Sequence, residues 1–160
     1  MPDAEDELID RAVQTGLRFI SYRPRSRQEV RLRLGRRFSG GTVERALARL
    51  QERGYLDDAA FARFWRESRE AHRPRSAALV RRELAQHGVG RDVAEEAVAG
   101  LDDEANAYRA GLGRLRLLEG LDYVPFRRRL EGYLKRRGFG AAVCRRTVER
   151  LWRERLSHKP

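Results

Sequence analysis

Cysteine occurs once, at Cys144, so no disulfide can close within the chain. A lone cysteine inside a helical pattern reads as a small core residue, and its scarcity fits a reducing cytoplasm. No apolar run approaches membrane-spanning length, and the N-terminus is acidic without a signal-peptide pattern. The chain is therefore expected to be cytoplasmic, with no membrane partner. Apolar and polar residues nowhere alternate at the period of a strand. There is no phosphate-binding loop, no nucleophile elbow and no cysteine pair. His72, His87 and His158 lie far apart, and only Glu83 stands four residues from His87. No enzyme, metal or cofactor is expected. Asn106 is the only asparagine and the four glutamines are scattered, so bidentate readout of adenine has few candidates.

Basic charge is abundant. The 160 residues carry a net charge of +11, and only Lys135 and Lys159 among the 35 basic residues are lysine. Arginine makes planar, bidentate contacts with phosphate and carboxylate. The first ten residues hold five acids (Asp3, Glu5, Asp6, Glu7, Asp10) and no base, so the remainder is more basic still. Such a balance points to nucleic acid or another polyanion.

A shift of fifty residues exposes a repeat. Arg25-Ser26 falls on Arg75-Ser76, Val30 on Val80 and Leu130, and Leu34 on Leu84 and Leu134. Leu84-x-x-x-Gly88-Val89-Gly90 matches Leu134-x-x-x-Gly138-Phe139-Gly140, and Leu56-Asp57-Asp58 recurs as Leu101-Asp102-Asp103. This period marks a tandem array of small units. Units of this size are marginal alone and must lean on one another. The fold class is all-α, an elongated tandem array of three three-helix repeats over 1–54, 55–101 and 102–160, with about nine helices.

The first helix spans 4–22, with Leu8, Ile9, Ala12, Val13, Leu17 and Ile20 on its apolar stripe. Ser26-x-x-Glu29 is a capping box opening the second. Gly40-Gly41 reads as a turn before a third helix over 42–53. Asp57 or Asp58 caps a fourth over 58–72, whose apolar face carries Phe61, Phe64 and Trp65. Ser76 caps a fifth over 77–87, and a sixth covers 91–100. Asp102 caps a seventh over 103–119, with Tyr108, Leu112 and Leu115 facing inward. Gly120 to Pro125 is a connector, followed by helices over 126–137 and 141–156. Glycines 88, 90, 138 and 140 read as helix stops, Gly88 and Gly138 at positive φ. The paired acids at 57–58 and 102–103 are better read as caps than as catalytic or metal carboxylates, because adjacent helical residues diverge.

The second helix of each unit carries the basic charge. The candidate contacts with DNA or a filament are Arg23, Arg25, Arg27 and Arg31; Arg69, Arg73, Arg75, Arg81 and Arg82; and Arg127, Arg128, Arg129, Lys135 and Arg136. Aligned, they would form a basic stripe for a backbone-tracking polyanion.

Arg23-Pro-Arg-Ser26 with Glu29, Gly54-Tyr-Leu-Asp-Asp58 with Phe61-Ala62, Arg69, Glu83-Leu84 with Gly88-Val89, and Arg136-Arg-Gly-Phe139 together resemble the RecX family, across residues 17–156. The resemblance implies tandem three-helix repeats and binding in the groove of RecA filaments on DNA. It further implies suppression of RecA's ATPase, strand-exchange and coprotease activities, with no catalytic residues. The family often has glycine before its fifth helix, where this chain has Arg73-Pro-Arg-Ser76. The expected protein is a monomeric regulator of RecA that also meets single- and double-stranded DNA with weak sequence preference. The rivals are an independent helix-turn-helix-like DNA-binding regulator and a protein-only scaffold.

Overall fold

A computed structural model describes residues 3–158 and contains, among them, nine α-helices, one 3-10 helix and no strand. The helices are α1 (Ala4–Tyr22), α2 (Arg27–Leu34), α3 (Gly40–Glu52), α4 (Asp58–His72), α5 (Ala77–Gln86), α6 (Arg91–Val98), α7 (Asp103–Leu112), α8 (Tyr123–Arg136) and α9 (Ala141–Ser157). A 3-10 turn, Leu115–Leu118, lies between α7 and α8.

By packing, the chain forms two compact units. One holds the chain through Trp65 together with Glu83–Ala97; the other holds Arg66–Arg82 and the chain from Val98 onward. In the first, α1, α2 and α3 enclose Ile9, Val13, Val30, Leu34, Leu47 and Leu50. In the second, α7, α8 and α9 enclose Phe126, Leu130, Leu134, Cys144, Val148 and Leu151. The repeat positions are core positions: Val30, Val80, Leu130, Leu34, Leu84 and Leu134 are all essentially inaccessible. Cys144 is buried, its thiol donates to the Phe139 carbonyl, and burial pushes its pKa up, as befits an inert core residue.

The helix starts follow the expected caps. Ser26 and Glu29 form a complete capping box, Asp102 accepts from the Ala105 N–H, Asp57 from Ala60 and Ser76 from Leu79. Gly54, Gly88 and Gly138 end helices at φ +78°, +77° and +89°.

Six expectations are corrected. Gly40 and Gly41 lie within the first turn of α3, because Ser39 supplies the cap. Gly90 and Gly140 begin helices rather than stop them: their carbonyls accept the first helical N–H groups, from Ala94 and Cys144. The helix expected over 103–119 breaks at Gly113, and α6 ends at Val98, short of Gly100 at φ +79°. Pro125 sits inside the first turn of α8, where an N–H has no helical acceptor anyway. Leu8, Phe64 and Leu112 are exposed.

The inward face of α7 instead carries Asn106, Ala107, Ala110 and Gly111. A β-carbon on Gly111 would stand 2.5 Å from Leu151 Cδ1, and one on Gly16 of α1 would stand 2.8 Å from Leu50 Cδ1. Each glycine lets the first helix of its bundle approach the third closely.

Candidate nucleic-acid interface

Each compact unit contains one junction where the second helix of a repeat meets the end of the next repeat's second helix. The two junctions share a backbone plan. In the first unit, Asp58 accepts from the Arg27 N–H at 2.9 Å, and the Ser26 hydroxyl donates to the His87 carbonyl at 2.5 Å. In the second, Asp103 accepts from the Ala77 N–H at 2.9 Å, and the Ser76 N–H donates to the Arg137 carbonyl at 3.1 Å. The paired acids thus divide their work. The first of each pair caps its own helix, and the second satisfies an orphan N–H at the start of the preceding repeat's second helix. The glycine that closes each junction is closely approached: a β-carbon would stand 2.6 Å from Gln28 Cγ at Gly88, and 2.6 Å from Leu79 Cβ at Gly138.

The side chains make the two junctions electrostatically unlike. In the first, Glu29 accepts from Arg23 at 2.5 Å and lies 3.5 Å from the His87 ring nitrogen and 4.0 Å from Arg25. Burial tends to raise the Glu29 pKa. The hydrogen bonds from Arg23 and the Ser26 N–H, with the charges of Arg23 and His87, outweigh it and hold the carboxyl below its ordinary value. Arg25 lies over the Phe19 ring at 3.9 Å; burial first, then repulsion from Arg23, lowers its pKa. The His87 ring sits 4.4 Å from Trp65, whose indole N–H donates to Glu83 at 2.7 Å. Glu83 therefore serves Trp65, and the partner of His87 is Glu29.

In the second junction the residue fifty positions after Glu29 is Leu79, and the one fifty after His87 is Arg137. An acid has become a leucine and a histidine an arginine. Around this second Arg-Pro-Arg-Ser turn gather Arg69, Arg73, Arg75 and Arg137. Burial and then Arg137 lower the pKa of Arg69. Burial and then Arg69, Arg137 and Arg73 lower that of Arg75. Burial leads in both cases and the neighbouring arginines add to it, and an anion at this turn opposes that second contribution.

The other expected contacts divide similarly. Arg27 donates to Gln51 and stands 3.5 Å from Glu44; Arg31 is held by Glu44 at 2.8 Å. Among the acidic N-terminal residues, Glu5 pairs with Arg45, and Asp6 and Asp10 with Arg49, so α3 absorbs part of that charge. In the second unit Lys135 pairs with Glu131 at 3.2 Å. Arg81 is half-buried on α5, Arg82 is exposed, and Arg127, Arg128, Arg129 and Arg136 are exposed on α8. Arg137 was absent from the expected set; its signal is the fifty-residue shift that places it on His87.

No group of three or more His, Cys, Asp or Glu side chains is placed to hold a metal among the described residues. Nor is any described helix long and apolar enough to cross a membrane.

Comparison with known proteins extends these observations. Residues 12–50 match the family model for the first three-helix domain of RecX, and residues 57–98 the model for its second. A regulatory protein RecX of Prosthecochloris aestuarii is 37% identical over 142 residues, covering 88% of this chain and 93% of the relative. One from Thermobifida fusca is 36% identical over 149 residues, with 91% and 80% coverage. One from Mycobacterium ulcerans is 37% identical over 147 residues, with 87% and 84% coverage. The crystal structure of RecX from Lactobacillus salivarius shares the fold at a TM-score of 0.77 and 15% identity, over 91% of this chain and 97% of that one.

Proposed function

The chain belongs to the RecX family of regulatory proteins, and we propose that in this capacity it regulates the RecA recombinase, mainly as an inhibitor. It acts by binding the RecA–DNA filament and suppressing its ATPase, strand-exchange and coprotease activities, with no catalysis of its own. The carrying observation is the match to RecX over most of the chain; the contact surface assigned to it is the second junction, where Arg73 and Arg137 neighbour Arg75 and Leu79 stands in the place of Glu29. Keeping like charges close opposes folding, and a phosphate backbone or an acidic protein surface reverses that penalty.

The first junction is the structural copy in this reading, and the second is the contact surface. Its arginines engage phosphates of the bound strand or carboxylates of the filament without reading bases. The working form is a cytoplasmic monomer.

The test is RecA ATPase on single-stranded DNA with increasing amounts of this protein. Inhibition at substoichiometric protein, weakened by Arg73→Glu with Arg137→Glu, is the expected result. No inhibition at several-fold excess over RecA overturns the proposal. Undiminished DNA binding in that case would favour an independent DNA-binding regulator.

A further inference from the structure

The outer face of α8 meets the 3-10 turn at a cavity of about 520 Å³, lined by Arg114, Arg128, Arg129 and Arg136 with Tyr133 and Leu117 at its walls. Its volume is that of a small-molecule site. Its charge is one-sided: no acid lines it, and none of these four arginines forms an ion pair among the described residues. This sets it apart from Arg27 and Arg31 of α2 and Arg45 and Arg49 of α3, which face Glu44, Glu5, Asp6 and Asp10.

The construction is specific. Arg129, Gly132, Tyr133 and Arg136 share one face of α8 at i, i+3, i+4 and i+7, while Phe126, Leu130 and Leu134 occupy the buried face. The Arg114 guanidinium lies over the Tyr133 ring at 4.5 Å, which holds a long side chain in place. A β-carbon at Gly132 would stand 3.4 Å from Arg136 Nη1, so the glycine lets that guanidinium lie against the helix. Leu117, 64% exposed, adds an apolar wall beside the charges.

We propose that this cavity binds a compact polyphosphate group, the di- or triphosphate of a nucleotide or an inorganic polyphosphate. Four guanidinium forks directed into one concavity suit several charges held close together. A nucleic-acid backbone instead spreads its charges along a path. The exposed Leu117 and the outer face of Arg114 would take a nucleobase, by apolar contact and stacking respectively. The site adjoins the Arg69–Arg137 cluster, since Arg137 lies over the same Tyr133 ring at 5.2 Å, but its four arginines are other residues and its occupation does not depend on RecA.

The experiment is equilibrium binding of a ribose-labelled fluorescent adenosine triphosphate to the full chain without DNA or RecA. The competitors are unlabelled adenosine triphosphate, inorganic tripolyphosphate, adenosine monophosphate and a short single-stranded oligonucleotide. One-to-one binding is expected, with the monophosphate at least roughly tenfold weaker than either triphosphate. Arg128→Ala with Arg129→Ala should lower affinity by about 10- to 100-fold, since each lost contact is charge-assisted. Arg53→Ala, exposed in the other unit, should change nothing. Leu117→Ser separates the two sources: weakened nucleotide with unchanged tripolyphosphate assigns a nucleotide, and equal effects assign polyphosphate alone. The proposal fails if the probe shows no saturable binding. It fails equally if Arg53→Ala weakens binding as much as the double variant. Loss of oligonucleotide binding in the double variant without any response to triphosphate would transfer the cavity to the nucleic-acid surface and overturn it. Circular dichroism of each variant confirms that the exposed substitutions leave the fold intact.

Discussion

At the scale of single residues, the junctions make the glycines unequal. Gly54 and Gly88 share a left-handed φ, but a β-carbon on Gly54 meets nothing within 4 Å, whereas one on Gly88 meets Gln28. Gly54→Ala should cost about 1–2 kcal/mol from backbone strain. Gly88→Ala should cost about 1–3 kcal/mol more from overpacking. Urea denaturation of both variants checks the difference, and equal losses would contradict the close approach. Asp58→Ala should destabilise by about 0.5–2 kcal/mol through loss of a cap, with Asp58→Asn retaining most of that stability. Glu29 adds a pH signature. Its folded-state pKa is depressed, so its stabilisation is fully present above the ordinary glutamate range and is lost as pH falls through the lower folded value. Glu29→Gln should therefore lower stability at neutral pH, by roughly 1–3 kcal/mol for lost charged hydrogen bonds. It should also flatten the acid limb of a stability–pH profile. The sequence displayed all these residues, but it could not show that Asp58 reaches Arg27 or that Glu29 reaches His87. Those contacts span 31 and 58 positions, beyond any local pattern.

At the scale of helices, the signals legible in the sequence are those whose physics is local. The Ser26–Glu29 box, the caps at Asp57, Ser76 and Asp102, and the left-handed glycines need only neighbouring residues. Leu84, fully buried at a repeat position, should lose about 2–5 kcal/mol as Leu84→Ala, measurable by thermal or urea unfolding. The apolar stripes are less legible. Phe64 and Leu112 satisfy helical spacing yet are exposed, because spacing fixes a face and not what covers it. Gly111 looks like a weak point in a helix, although its missing side chain is what α9 packs against. In an ordinary helix Gly→Ala gains about 0.5–1 kcal/mol. Gly111→Ala should instead destabilise, since Leu151 is buried and has little room to yield. The basic helices teach a related lesson. Sequence counts charges but not their partners, so Arg27 and Arg31 could not be told from Arg73 until Glu44 was located in space.

At the scale of the whole molecule, a net charge of +11 ensures that any DNA binding depends on salt, and the uneven pairing of charge decides which arginines carry it. Arg73→Ala with Arg137→Ala should flatten the log–log salt dependence on single-stranded DNA by roughly 1 to 1.5 units, at about 0.7 per phosphate contact. Arg27→Ala with Arg31→Ala should flatten the slope by clearly less, since the Glu44 carboxylate already offsets one of those two charges. Filter binding across a salt series distinguishes the two outcomes. The reciprocal junctions carry one more consequence, concerning how the chain is made. The second helix of the first repeat waits for Asp58 to cover its leading N–H and for His87 to receive the Ser26 hydroxyl; that of the second repeat waits for Asp103 and Arg137. On the ribosome, each of the first two repeats therefore emerges incomplete and is finished by the one that follows it. A nascent chain halted after Gly54 should be readily digested by protease, and one released after Gly90 should be markedly more resistant.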